Sequence, residues 1–248
     1  MSTTTTQLDE TDVRASVSSS SNTLCPSNTN STHFYPSRIL TVDAQGINAI
    51  RLPLPPSQTE ITITLADGST GYVSTRNKRW SGNSILSHPK AGNLIRTDYF
   101  FGPNRDPVLR LLQTSSVIPE EIRISSKWLS RSAWFTMPTG TEYEWAYAKQ
   151  KRIDGQKLRL IVLRAIGEKD SEDRCVAQLV RSTDTRTPGT SRCTAGNGGE
   201  LQIDDGALQA LQLDESVVVA TCLVMLKREI DRRRVRQAAA MGGAGGGC

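Results

Sequence analysis

The apolar and polar positions of this chain form their clearest pattern near its C-terminal end. Residues 217–226 read VVVATCLVML and are apolar at every position except one threonine. A helix that is apolar on all sides must be buried in protein or in lipid. These ten residues are far fewer than the roughly 20 that a membrane-spanning helix needs, and Asp214 and Glu215 prevent an upstream extension. The pattern therefore predicts a helix over residues 214–228, inside a protein core.

Much of the preceding chain alternates between apolar and polar positions. EITITL at residues 60–65 is followed by an Asp-Gly step at 67–68, and EYEWAY at 142–147 by another at 154–155. Alternation with period two around an Asp-Gly step is a strong hairpin signal. Further strands are predicted at residues 37–42, 72–73, 108–112, 122–125, 158–163, 175–180 and 200–203.

Other segments interrupt this alternation. Residues 119–128 fit a helix that begins with a proline and two acids, and they fit a strand equally well. Loops are predicted at residues 77–84, 102–107, 168–174 and 184–199, the last of which is rich in Gly, Thr and Ser.

The fold prediction follows from combining many short strands with one helix that needs burial on all sides. Alternating strands have one face for a shared core, and an antiparallel sheet closed around the helix leaves no open edge. The prediction is a mainly β (α+β) fold, a closed antiparallel β-barrel wrapped around the C-terminal helix. A two-layer sheet with the helix on one face is the alternative, but it exposes one side of VVVATCLVML.

Composition divides the chain into three parts. Residues 1–32 are rich in Ser, Thr and Asn, contain few apolar residues, and are expected to form a disordered arm without the pattern of a secretory signal. Residues 33–230 are expected to form the barrel domain, and residues 231–248 a tail that is first basic and then glycine-rich.

The order of several short motifs carries a family resemblance. Trp128 is followed by SAWF at 132–135, GTEYEW at 140–145, a hairpin, GEL at 199–201 and an apolar helix that runs into KRE. In this order the chain resembles fungal proteins of the tubby-like C-terminal type, relatives of the LURP-one and scramblase barrels. The resemblance covers roughly residues 34–230 and implies a β-barrel with a buried C-terminal helix. Tubby domains bind phosphoinositides, but their basic lipid-binding residues do not align with this chain, so that function is not implied here.

Charge is concentrated next to the predicted helix. The formal net charge is +5, and residues 227–236 account for +4 of it, which predicts a near-neutral folded body. The cations of this segment are Lys227, Arg228, Arg232, Arg233, Arg234 and Arg236.

Several interpretations of these cations remain open: a solvated helix end, a nuclear-import or nucleic-acid patch, a contact with a protein partner, and a contact with anionic phospholipid. A lipid contact would be strengthened by acylation of Cys248. The corresponding expectation is a cytoplasmic protein peripheral to a membrane, with a nuclear location as the alternative and no transmembrane segment.

The sequence contains no catalytic signature and predicts neither a cofactor nor a metal site. The two histidines, His33 and His88, have no metal-ligand spacing, and the motifs GxSxG, GxxxxGK[ST] and GxGxxG do not occur. The five cysteines show no paired spacing, which indicates a reducing compartment. Trp80 lies in a basic segment that suits a hairpin tip or a membrane interface.

The expected function is a non-catalytic binding or scaffold module. Two alternatives come from other classes. An enzyme would need a polar, solvent-open barrel interior, and a nucleic-acid-binding protein would need Lys149, Lys151, Arg152 and Arg159 to join the C-terminal cations in one patch.

Overall fold

The computed structural model describes residues 34–48, 58–78, 81–102, 105–113, 120–126, 130–151, 157–167 and 173–242. They form twelve strands and two helices. The strands are β1 (Arg38–Ile47), β2 (Glu60–Leu65), β3 (Thr70–Thr75), β4 (Ser84–His88), β5 (Gly92–Asp98), β6 (Val108–Leu111), β7 (Glu121–Arg123), β8 (Ala133–Thr136), β9 (Glu142–Lys151), β10 (Lys157–Ala165), β11 (Arg174–Arg181) and β12 (Ala195–Ile203). The helices are α1 (Asp205–Leu211) and α2 (Glu215–Gly242).

All twelve strands belong to one antiparallel sheet, in the order β7-β6-β5-β4-β3-β2-β1-β12-β11-β10-β9-β8. The two ends of the sheet meet through an isolated bridge between Ser125, which follows β7, and Trp134 of β8. Each of these residues donates its backbone N–H to the carbonyl oxygen of the other, at 2.8 Å. This short seam closes the sheet into a barrel, so the predicted closed barrel is confirmed and the two-layer alternative is not.

Helix α2 passes through the barrel. Every residue from Ser216 to Lys227 is buried, and the inward-facing side chains of the strands pack around it. Trp145 is fully buried and its Nε1–H donates to Thr221 Oγ1 at 2.9 Å, which satisfies the single polar position of the apolar run. The predicted central helix is therefore present.

The helix does not end where the sequence predicted. It continues past residue 228 to Gly242, so residues 231–242 are helical instead of forming a tail. Ile230 packs on Ile47 and Ala195, one turn beyond Leu226, which keeps the helix attached to the barrel rim. The alanines at 238–240 are strong helix formers and extend it further.

The hairpins β2–β3 and β9–β10 form where the sequence predicted them. The undecided segment 119–128 contains strand β7, whereas β4, β5 and β8 were not predicted as strands. The loop predicted at 184–199 is shorter, because β12 begins at Ala195. Of the three alternating aromatics in β9, Tyr143 and Trp145 belong to the core, and Tyr147 is half-buried.

Two glycines of β12 allow close approaches of neighbouring backbone. Gly196 has a φ of +72°, and a Cβ there would lie 2.5 Å from Ile230 Cγ1 and 2.6 Å from the carbonyl oxygen of Leu226. At Gly198 a Cβ would collide with the carbonyl oxygen of Val42 on the adjacent strand β1. A side chain at Gly196 would therefore push α2 away from β12, and one at Gly198 would disturb the pairing of β1 with β12.

Some predictions lie outside the described residues, namely those for the arm at 1–32, His33, Trp80 and Cys248. Among the residues that the structure describes, no single helix is long and apolar enough to cross a membrane. Residues 205–211 and 215–240 meet the length and composition criteria only as a pair, across a bend of 107°.

Candidate functional site

A concave pocket at the C-terminal side of α2 is the strongest candidate site. Its volume is about 130 Å³. Its lining includes eight arginines and one carboxylate, and we call it the arginine pocket. The arginines are Arg131, Arg159, Arg181, Arg186, Arg192, Arg232, Arg233 and Arg236, and the carboxylate is Glu229.

Helix α2 provides three of these arginines. Arg232 and Arg236 are four residues apart, so they share one face of the helix with Arg233 beside them. Arg232 Nη2 donates to the carbonyl oxygen of Ser130 at 2.7 Å, and Arg233 Nη2 donates to that of Cys193 at 3.0 Å. These bonds attach the helix to the loops around the pocket and fix where its cations lie.

The barrel body provides the other five. Arg159 is on β10, Arg181 ends β11, and Arg186 and Arg192 lie in the β11–β12 connection. Arg159 Nη1 donates to the carbonyl oxygen of Arg192 at 3.1 Å, so the strand holds the loop in place. The guanidinium of Arg131 lies 5.8 Å from the centroid of the Tyr147 ring, within cation–π range.

An ion pair between Arg181 and Glu229 forms the floor of the pocket. The two guanidinium nitrogens lie 2.7 and 2.9 Å from the two carboxylate oxygens. The backbone N–H of Gly196 also donates to Glu229, at 2.8 Å. Burial alone would raise the pKa of Glu229, but Arg181 and these hydrogen bonds hold it below its usual value. Burial of the neighbouring Tyr147 raises the pKa of its phenol, which stays neutral.

This pairing leaves a large excess of positive charge. Glu229 is the only carboxylate among the described lining residues, and it is neutralised by Arg181. In the part of the chain that the structure describes, Arg186, Arg192 and Arg236 form no ion pair. The pocket therefore presents guanidinium donors to any anion that enters it.

A second pocket of about 200 Å³ adjoins the first and shares Arg131, Arg232 and Arg236 with it. Arg105 and Arg228 add to its charge, and Phe100, Phe101 and Val235 add apolar surface. Phe100 and Val235 are 48% and 49% exposed. We call this region the amphipathic groove, because both cations and apolar side chains line it.

The structure separates the six cations predicted as one site. Arg232, Arg233 and Arg236 line the arginine pocket, and Arg228 lines the amphipathic groove and donates to Ser126 Oγ. The prediction of a surface contact is wrong for Lys227, which is buried. Its Nζ donates to both oxygens of Asp231, at 2.6 and 2.7 Å, and lies 5.0 Å from the Tyr99 ring centroid.

The sixth cation, Arg234, is not among the residues that line the arginine pocket. Its Nη1 lies 3.9 Å from Asp231 Oδ1, and its side chain is only 15% exposed. Lys227 and Arg234 are therefore both held near Asp231, and they do not contribute to the positive surface that the sequence assigned to them.

Sequence reasoning missed the arginines of the barrel body, and with them the pocket. These residues are scattered from position 131 to 192, and no short motif connects them. Of these arginines, only Arg159 belongs to the basic patch that the nucleic-acid alternative requires. The structure places it in the pocket, with the exposed Lys149 directly opposite in the β9–β10 register. Side chains at positions 151 and 152 lie outside the description.

No family model matches this chain, and no curated protein or solved structure matches it. Among the described residues, no group of three or more His, Cys, Asp or Glu side chains is arranged to hold a metal ion. The charge and geometry of the arginine pocket favour a multiply charged anion.

Proposed function

We propose that the protein is a binding module that attaches to anionic membranes by holding lipid phosphate in the arginine pocket. One observation carries this proposal: arginines from α2, β10, β11 and two loops meet in one concavity whose only described carboxylate is already paired. Assembling so many cations costs electrostatic energy, and a bound polyanion would relieve it. The binding surface belongs to the folded barrel, of which the arginine run on the helix forms one wall.

Arginine chemistry favours phosphate as the bound group. A guanidinium is planar, remains charged at neutral pH, and offers paired N–H donors that match two phosphate oxygens. The bonds from Arg159, Arg232 and Arg233 to backbone carbonyls restrain these side chains before any ligand arrives. Restrained donors lose less conformational entropy on binding.

The amphipathic groove favours a membrane as the source of the phosphate. Phe100 and Val235 are half-exposed and line the groove that shares three arginines with the arginine pocket. Apolar side chains beside cations suit the boundary between headgroups and acyl chains, where both are satisfied together. A soluble phosphate would leave these apolar side chains in water.

We also propose that the protein is cytoplasmic and peripheral to a membrane, because anionic lipids are concentrated on cytoplasmic leaflets. We further propose that the protein belongs to the tubby-like type. The order of the sequence motifs and the closed barrel with its central helix support this proposal. A protein partner on the same surface, and a scaffold role with it, stays open.

Nucleic acid is a second candidate ligand, and one observation favours it. Lys149 and Arg159 are paired across β9 and β10 and extend the basic surface beyond the pocket. A broad basic face suits an extended phosphate backbone better than a single headgroup. The apolar side chains of the groove favour the membrane, unless they stack on bases.

Vesicle co-sedimentation tests the proposal. We expect the protein to sediment with phosphatidylcholine vesicles only when they also contain phosphatidylserine. Added salt should weaken binding, because the Debye length falls from about 10 Å at 0.1 M to about 3 Å at 1 M. Binding a single-stranded RNA more tightly than the anionic vesicles would instead support the nucleic-acid candidate.

A matched pair of triple variants locates the contact. Replacing Arg232, Arg233 and Arg236 with glutamine should weaken vesicle binding roughly 100-fold, from about 1 kcal/mol per basic residue. The control replaces Lys90, Arg96 and Arg123, which are exposed and outside both pockets, and removes the same charge. Equal losses in the two variants would show that net charge, and not the pocket, drives binding.

A further inference from the structure

A third cavity opens at the opposite mouth of the barrel, where α2 begins. Its volume is about 540 Å³, and Asp214, Ser216 and Val217 are part of its lining. Val217 and Glu229 are separated by about 18 Å of helix, so this cavity is remote from the arginine pocket. The volume lies within the range of roughly 300–1,000 Å³ that is typical of small-molecule sites. We call it the N-terminal cavity.

One part of the wall of the N-terminal cavity is apolar. Leu94 of β5, Leu111 of β6 and Met137 of the β8–β9 turn line it together with Val217. The first three are only partly buried against the core, although each is large and apolar. These side chains leave part of their surface facing the cavity, and an apolar ligand would remove that surface from water.

The charge of this cavity is the reverse of that in the arginine pocket. Two carboxylates, Glu120 and Asp214, are part of the lining, and the described lining includes neither lysine nor arginine. The neighbouring Glu215 is already satisfied, because it accepts from Tyr72 Oη at 2.8 Å and pairs with Arg38. The cavity therefore disfavours phosphate and favours a group that is cationic or that donates hydrogen bonds.

The rim of the cavity is held in place before any ligand binds. His88 Nδ1 accepts from the backbone N–H groups of Lys90 and Ala91, at 3.2 and 3.3 Å. Its ring packs edge-on against Tyr72, with centroids 5.6 Å apart. On the other side Gln212 caps α1 in a left-handed conformation with φ of 50°. A restrained rim of this kind lowers the ordering cost of binding.

We propose that the N-terminal cavity binds an aliphatic amine. Its hydrocarbon part would pack on Leu94, Leu111, Met137 and Val217, and its ammonium group would lie beside Glu120 and Asp214. This site is independent of the anion-binding function proposed for the other end. The two mouths of the barrel would then select ligands of opposite charge.

Three eight-carbon probes test this proposal with the full-length protein at neutral pH. Octylamine, 1-octanol and octanoate carry a cationic, a neutral and an anionic headgroup, respectively. In a titration followed by amide NMR, octylamine should bind most tightly and octanoate most weakly, with shifts at Ala91, Leu94 and Val217. Octanoate binding as tightly as octylamine, or shifts that avoid these residues, would overturn the proposal.

Two substitutions sharpen the result. Glu120→Gln should weaken octylamine binding about tenfold and leave 1-octanol binding unchanged. Glu60→Gln removes an exposed carboxylate outside the cavity and should change neither. Met137→Trp should weaken all three probes by filling the cavity without changing its charge. If Met137→Trp does not fold, the Glu120 and Glu60 variants decide the matter, and equal behaviour of those two would contradict an amine site.

Discussion

The two halves of α2 belong to one continuous helix but have different roles. In the first half, residues 217–226 are all buried and apolar or hydroxyl-bearing, and they fill the barrel. In the second half, Arg228, Arg232 and Arg236 recur every four residues and face two pockets at the rim. The first half determines whether the protein folds, whereas the second determines what the rim attracts. A buried helix can thus both fill a core and hold charged side chains at a fixed place outside it.

The largest expected effect is in the first half. Leu223→Asp should leave the protein unfolded or aggregated, because an unpaired buried carboxylate costs several kcal/mol against a total stability of about 5–15 kcal/mol. Val235→Asp places the same side chain on the exposed second half and should shift the melting temperature only slightly. Circular dichroism melts of both variants check the comparison. A Leu223→Asp protein that melts near the wild type would contradict the role of the buried half.

The next effect concerns Glu229, which lies where the two halves meet. Glu229→Gln should lower the free energy of unfolding by about 3–5 kcal/mol, because it leaves the buried Arg181 guanidinium without a counter-charge. Chemical denaturation of the two proteins measures this loss. An added anion such as phosphate should stabilise the variant more than the wild type, by taking the place of the carboxylate. A variant as stable as the wild type would mean that the ion pair contributes nothing.

The contribution of Glu229 depends on pH in a defined direction. Its pKa in the folded protein lies below the ordinary value of 4.5, so the ionised form is favoured by folding. The stability gained from it is therefore present above about pH 4.5 and is lost as the pH falls through the folded-state pKa. The stability difference between wild type and Glu229→Gln should be constant near neutrality and shrink in acid.

Much of the fold could be predicted from the sequence, because it depends on local patterns. The alternation at residues 60–65 and 142–147 and the unbroken apolar run at 217–226 led to the hairpins and to the barrel around a helix. The strands β5 and β12 were harder to predict. Strand β5 has few apolar residues, and the first half of β12 is rich in glycines that allow close approaches of α2 and the neighbouring strands.

The end of the helix and the pocket depend on distant contacts. Ile230 follows Leu226 at helical spacing, and Lys227 and Asp231 form an i, i+4 pair, so the continuation of α2 could have been found locally. Local patterns do not predict that Arg159, Arg186 and Arg192 lie beside the helix, because only closure of the barrel brings them together. The sequence alone therefore predicts a basic tail where the structure has one wall of the arginine pocket.

Replacing the arginines of the barrel body shows whether the assembled arginine pocket binds the membrane. A variant with Arg159, Arg186 and Arg192 changed to glutamine keeps every cation of α2 but removes the opposite wall of the arginine pocket. If the assembled pocket binds the membrane, its affinity for phosphatidylserine-containing vesicles should fall roughly 100-fold, as for the helix variant. Binding equal to the wild type would mean that the helix arginines act alone, and that the pocket has no part in binding.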